Sequence, residues 1–195
     1  MKYWFYCSFF FIPFFSMAQD SDLPYSQIPD YPDSYASGNV LSRLVDGLGF
    51  RYYWATEGLT QKDLDFKPSE GARSTYETMQ HIYGLALTIV NAPTSTPNSG
   101  PVDWSQFTYE TLRASTLKQL KKASELYAGL SEEELAKAEM VFQNGDNRTA
   151  FPIWNMINGP IADAIWHTGQ VVSFRRSSGN PFNSKVSVLQ GKLRN

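Results

Sequence analysis

The chain has 195 residues with 17 Lys+Arg against 19 Asp+Glu, 15% aromatics and a single cysteine. A slightly acidic charge with no basic stripe argues against a nucleic-acid role. One cysteine excludes a disulfide framework and a thiolate metal cluster.

Residues 1–18 read as a secretory signal: Lys2, then an apolar run from Trp4 to Phe15, then Ser16-Met17-Ala18 with small residues at −3 and −1. The run is shorter than the ~18 residues expected of a membrane span, and Pro13 interrupts it. The expectation is export, periplasmic or extracellular, with cleavage near Ala18 and no stable membrane insertion afterwards. Cleavage removes Lys2 and the only cysteine, Cys7, leaving 16 Lys+Arg against 19 Asp+Glu.

Residues 19–38, rich in Pro, Asp, Ser and Tyr, read as an extended arm. Residues 39–195 form one domain. A first helix is predicted from about Val40 to Glu57, ending at Gly58. A connection with Pro68 and Gly71 follows. Ser74 and Glu77 have capping-box spacing and open a second helix to about Val90. Residues 91–103 are a loop by composition. The third helix covers roughly Thr108 to Leu130, with Leu112, Leu117, Leu120 and Tyr127 facing inward. Ser131 and Glu134 cap a further short helix, and residues 143–149 are turn-rich. The fourth helix spans about Pro152 to Ser177, kinked at Asn158-Gly159-Pro160, and stops at Gly179. Four long helices and little strand signal predict an all-α fold, a four-helix bundle.

The second and fourth helices are unusual in charge. Between Arg73 and Asp103 the only charged residue is Glu77; between Arg148 and Arg175 the only one is Asp163. Surface helices carry charge along their outer face. These two are therefore expected to be buried on most sides, in the core or in a homodimer interface. On a helical wheel the second has an apolar stripe of Met79, Ile82, Ala86 and Ile89, with His81 roughly 130° away. The fourth has a stripe of Trp154, Ile157, Ile161, Ile165 and Val172, with Asp163, His167 and Gln170 gathered on another face. Both histidines of the chain thus lie in small polar patches on otherwise apolar helices.

Asp163 and His167 are one turn apart and stack on the helix surface. With His81 they make a three-ligand set inside the bundle. Imidazole and carboxylate suit zinc, nickel, iron or manganese. A hydrogen-bonded pair of core residues is the competing reading of the same pattern. Glu77, one turn from His81, is a weak candidate for a catalytic base, set against its capping role. Gln170 is a candidate to brace an imidazole from behind. Asn158 reads as a local cap or a ligand contact. Arg175 and Arg176 suit a helix C-terminus or an anionic substrate. Tyr52, Tyr53, Trp54, Trp154 and Trp166 read as core packing, with a pocket lining as the other option.

The stretch from Val40 to Val90, and above all NGPIADAIWHTGQVVSFRRSSGNP (158–181), resembles the DinB superfamily, or YfiT-like metal-dependent hydrolases. The similarity rests on residues 68–73, on His81-Ile82, and on His167-x-Gly169-Gln170. The resemblance implies a four-helix bundle holding a divalent metal by three histidines. It maps the first onto His81 and the last onto His167; the middle position falls on Asp163, a departure from the family pattern. It implies metal-assisted hydrolysis or, ranked lower, thiol-dependent transfer. The alternative is a non-catalytic bundle that binds a small ligand or a partner through a degenerate site.

Overall fold

A computed structural model describes residues 23–195; the signal-like segment and its cleavage site lie outside the described residues. Four long helical stretches carry the architecture. They are α1 (Ser37–Thr56), α3 (Thr75–Asn91), α4 (Tyr109–Tyr127), and a final stretch made of α6 (Ile153–Met156), a π-helical segment (Ile157–Ile161) and α7 (Ala162–Ser178). Short helices α2 (Gln61–Leu64) and α5 (Glu132–Lys137) fill the connections. Among the described residues, no helix is long and apolar enough to cross a membrane.

Helix starts follow their capping residues. The Ser74 hydroxyl accepts from the Glu77 N–H at 3.1 Å, and the Glu77 carboxylate accepts from the Ser74 N–H at 2.6 Å. Ser131 and Glu134 repeat the device for α5. Each reciprocal pair satisfies two N–H groups that the first turn leaves open. At the other end of α1, Gly58 takes φ 65° and terminates the helix.

The helices pack in a crossed order. Both α1 and α3 lie against α4 and against α7, which puts α1 and α3 at diagonal corners. The segment through α2 spans that diagonal. Between the four lies one core, in which Leu48, Tyr52, Met79, Ile82, Ile89, Leu112, Leu117, Leu120 and Tyr127 are fully buried. Burying such side chains is worth about 1.5–3 kcal/mol each.

Two buried arginines close the C-terminal end of α1. Arg175 donates to the Trp54 and Ala55 carbonyls, each at 3.0 Å; Arg113 donates to the Tyr53 carbonyl at 3.3 Å and the Thr56 hydroxyl at 3.2 Å. Those carbonyls belong to the last turn, where no helical N–H remains to meet them. Arg175 also donates to the Asn180 carbonyl at 2.9 Å, just past its own helix, so it serves both helix ends; the expectation that it is solvated there is corrected, since it is buried while Arg176 is exposed. Beside it, the Asp63 carboxylate accepts from Asn180, from Ser178, and from the Thr60 N–H and hydroxyl.

The all-α expectation holds for the bundle and fails at residues 139–152. There β2 (Glu139–Asn144) and β3 (Asn147–Pro152) form an antiparallel hairpin, and β1 (Asn98–Ser99) adds parallel to β2. Gly145, at φ 57°, opens a two-residue turn whose positive φ glycine favours. Met140 and Val141 are buried, and Phe142 and Phe151 meet edge to face on the outside. A small hairpin, β4 (Val186–Ser187) with β5 (Lys192–Leu193), ends the chain.

Arm and tail both lie along α1. The Tyr25 hydroxyl donates to Asp46 at 3.0 Å, and its ring presses on Gly49 so closely that a Cβ there would fall within it. Ile28, Phe50 and Val186 form a second, smaller apolar cluster.

Candidate metal centre

The π-helical segment sets the face that α7 turns to the bundle. Pro160 has no N–H to offer the carbonyl four residues back, and the Ala162 N–H reaches the Ile157 carbonyl in an i→i−5 bond. One extra residue in the turn rotates everything before it relative to everything after. The predicted stripe breaks for this reason. Ile161 is buried and Ile165 and Val172 are half-buried, but Trp154 is 77% exposed. Trp166, on the same outer face, is 72% exposed, so neither tryptophan packs in the core, and the expectation that they do is corrected. Tyr52 and Tyr53 are buried; Trp54 is half-buried and donates to the Ser26 carbonyl at 3.2 Å.

On the flank that α7 turns to α3, Asp163 and His167 meet His81. His81 Nε2 lies 3.1 Å from Asp163 Oδ2, and His167 Nε2 lies 3.3 Å from Asp163 Oδ1. The two imidazoles stand edge to face, their centroids 4.5 Å apart. One ligand atom from each of the three residues lies within 4.8 Å of the others. Antiparallel neighbours separated by 82 residues in sequence thus deliver three donors to one point.

Behind His167, Nδ1 faces the Gln170 amide oxygen at 2.8 Å. Donation from Nδ1 leaves the Nε2 lone pair directed at Asp163. A lone pair and a carboxylate oxygen at 3.3 Å repel unless positive charge lies between them. With that tautomer, acceptor atoms of His167 and Asp163 face one point, the geometry of a candidate cation site. Burial pushes the His81 imidazolium down from its ordinary value, against the opposing pull of the Asp163 carboxylate, so His81 favours the neutral form that ligates. All three residues are half-buried and open to solvent on one side.

Glu77 is engaged elsewhere. Its carboxylate accepts from the Ser74 N–H and pairs with Lys67 at 3.1 Å, and these contacts hold its pKa below the usual glutamate value. That is the wrong direction for a base working near neutral pH. Asn158 is exposed on the π segment. A cavity of about 790 Å³ opens beside Glu77, between Leu59, Leu64, Tyr76 and Tyr109. None of the three candidate ligands lines it.

No family model and no curated protein matches the chain. Solved structures do. A DinB-like protein, YjoA of Bacillus subtilis, superposes with a TM-score of 0.58 at 16% identity, over 78% of this chain and 99% of that one. The fold is DinB-like. YfiT of the same organism, described as a probable metal-dependent hydrolase with an unusual four-helix bundle topology, matches with a TM-score of 0.54 at 15% identity, over 77% and 93% of the two chains.

Proposed function

We propose that this DinB-like bundle binds a divalent metal ion through His81, Asp163 and His167 and acts as a metal-dependent hydrolase outside the cytoplasm. One observation carries the reading: three donors from two helices converge within 4.8 Å, in a chain that has only two histidines. The donor set fits zinc, nickel, iron or manganese, and leaves coordination positions open toward solvent. A metal there would supply Lewis acidity and a bound water of lowered pKa. The chain's own contribution is positional. Gln170 holds the His167 ring by its far nitrogen, and rigid neighbouring helices keep the donor separations fixed. The description of YfiT as a probable metal-dependent hydrolase supports the same class of chemistry. Location outside the cytoplasm rests on the signal-like residues 1–18.

A non-catalytic, ligand-binding bundle is the second reading, and the engagement of Glu77 favours it. With that carboxylate tied to Ser74 and Lys67, the carboxylate of the triad among the described residues is Asp163, itself a proposed ligand. Elemental analysis of protein purified without a histidine tag, beside His167→Ala, separates the possibilities. One equivalent of metal, lost in the variant, together with turnover of an activated ester or amide, is the expected result. Metal without turnover selects the binding reading. Negligible metal in both proteins removes the site.

A further inference from the structure

From Trp154 to Gly169 the final helical stretch has an outer face with no charge and two tryptophans; the exposed Arg176 lies beyond it, in the last turn. Trp154, Asn155, Asn158, Ala162, Trp166 and Gly169 are all exposed along it. The π segment is what aligns them. With uniform α-helical turns, Trp154 would sit about 80° from Ala162; the added residue brings it over the same line. The one charged residue between Arg148 and Arg175, Asp163, is turned toward α3 and the histidines.

We propose that this face is the contact between two copies of the chain, crossing antiparallel with the two-fold axis at Ala162. A two-fold contact must be self-complementary, each side offering what the other receives. With the axis at Ala162, four residues on either side come opposite one another. Trp166 then meets Asn158 of the second copy, and Trp154 meets the neighbourhood of Gly169, where a Cβ would find nothing within 4 Å. Bulky side chains fall on small ones from both directions.

Area and charge support a second copy as the occupant. At 77% and 72% exposure the two indoles alone present about 350 Å² per chain. A standard interface buries about 800 Å² per partner, so the rest of the face needs to supply only a little over half. The chain is net negative, and an uncharged surface lets two copies meet without like-charge opposition. A strongly charged partner would find no counter-charge here.

Light scattering on the purified protein tests this. The expected mass is twice that of one chain at micromolar concentration. Ala162→Arg and Trp166→Glu, both on exposed positions, should each give a monomer with an unchanged circular dichroism spectrum. A wild-type monomer at all concentrations up to about 1 mM overturns the proposal, as does dimerisation that survives both variants. A monomer that binds phosphatidylcholine vesicles, and loses this in Trp166→Glu, overturns it too and assigns the face to a lipid surface.

Discussion

Gln170 holds His167 from behind: its amide oxygen lies 2.8 Å from Nδ1, while Nε2 of the same ring points at Asp163. The hydrogen bond selects the tautomer that can ligate. Removing it should cost metal affinity without disturbing the fold, because Gln170 is only half-buried.

Gln170→Leu is therefore expected to weaken metal binding by about 10-fold or more, the usual effect of losing such a brace. Gln170→Glu keeps an acceptor at the same position and should restore most of the affinity. Competition against a chromophoric chelator measures both. Equal affinity in the Leu variant and the wild type would show that His167 needs no support.

Much of this site was legible in the sequence because its parts obey local rules. Asp163 and His167 are a helical turn apart, and Ser74 and Glu77 have capping spacing whatever the tertiary structure. That His81 joins them was suggested by charge: the helix around it has no solvated face of Lys and Glu. The hairpin at 139–152 was hidden by the helical frame, although Gly145-Asp146 between Met140-Val141-Phe142 and Thr149-Ala150-Phe151 is a two-residue turn between strand formers. Trp154 was misplaced because a wheel assumes a constant 100° per residue, and the π segment at Pro160 breaks that assumption. The burial of Arg175 depends on the C-terminal end of a helix 120 residues earlier, which no local pattern encodes.

Acid should expose the contribution of Asp63. Burial raises its pKa, but hydrogen bonds from Asn180, Ser178 and Thr60 outweigh that and lower it from 3.8 to about 2. A depressed carboxyl stabilises the fold above its unfolded pKa, and that stabilisation is lost as pH falls toward the folded value. A difference of nearly two units corresponds to about 2 kcal/mol, present at pH 6 and fading between about pH 4 and 2. Urea titrations of wild type and Asp63→Asn over that range should show stabilities that differ at pH 6 and converge as the pH falls to about 2. A gap independent of pH would show that the loss in the variant is steric, not ionic.

Gly49 tests how the arm is held. An added methyl would collide with the Tyr25 ring, and overpacking of this kind costs about 1–3 kcal/mol unless the ring leaves. Gly49→Ala should therefore release the segment from Leu23 to Ala36, seen as faster proteolysis there. Gly47→Ala is the control: its Cβ would meet only the flexible end of Arg51, and alanine in place of glycine inside a helix should add up to about 1 kcal/mol. Equal proteolysis of the two variants would mean that Tyr25 does not anchor the arm.

The diagonal arrangement of α1 and α3 has a consequence for when an ion can be captured. His81 waits through 82 further residues before Asp163 exists, and its helix finds α7 only after α4 and the hairpin have been made. A nascent or truncated chain offers a solitary imidazole, with negligible hold on a cation. If the proposed site takes up a metal, loading would be a terminal event of assembly, and an occupied centre would certify that the whole bundle has closed.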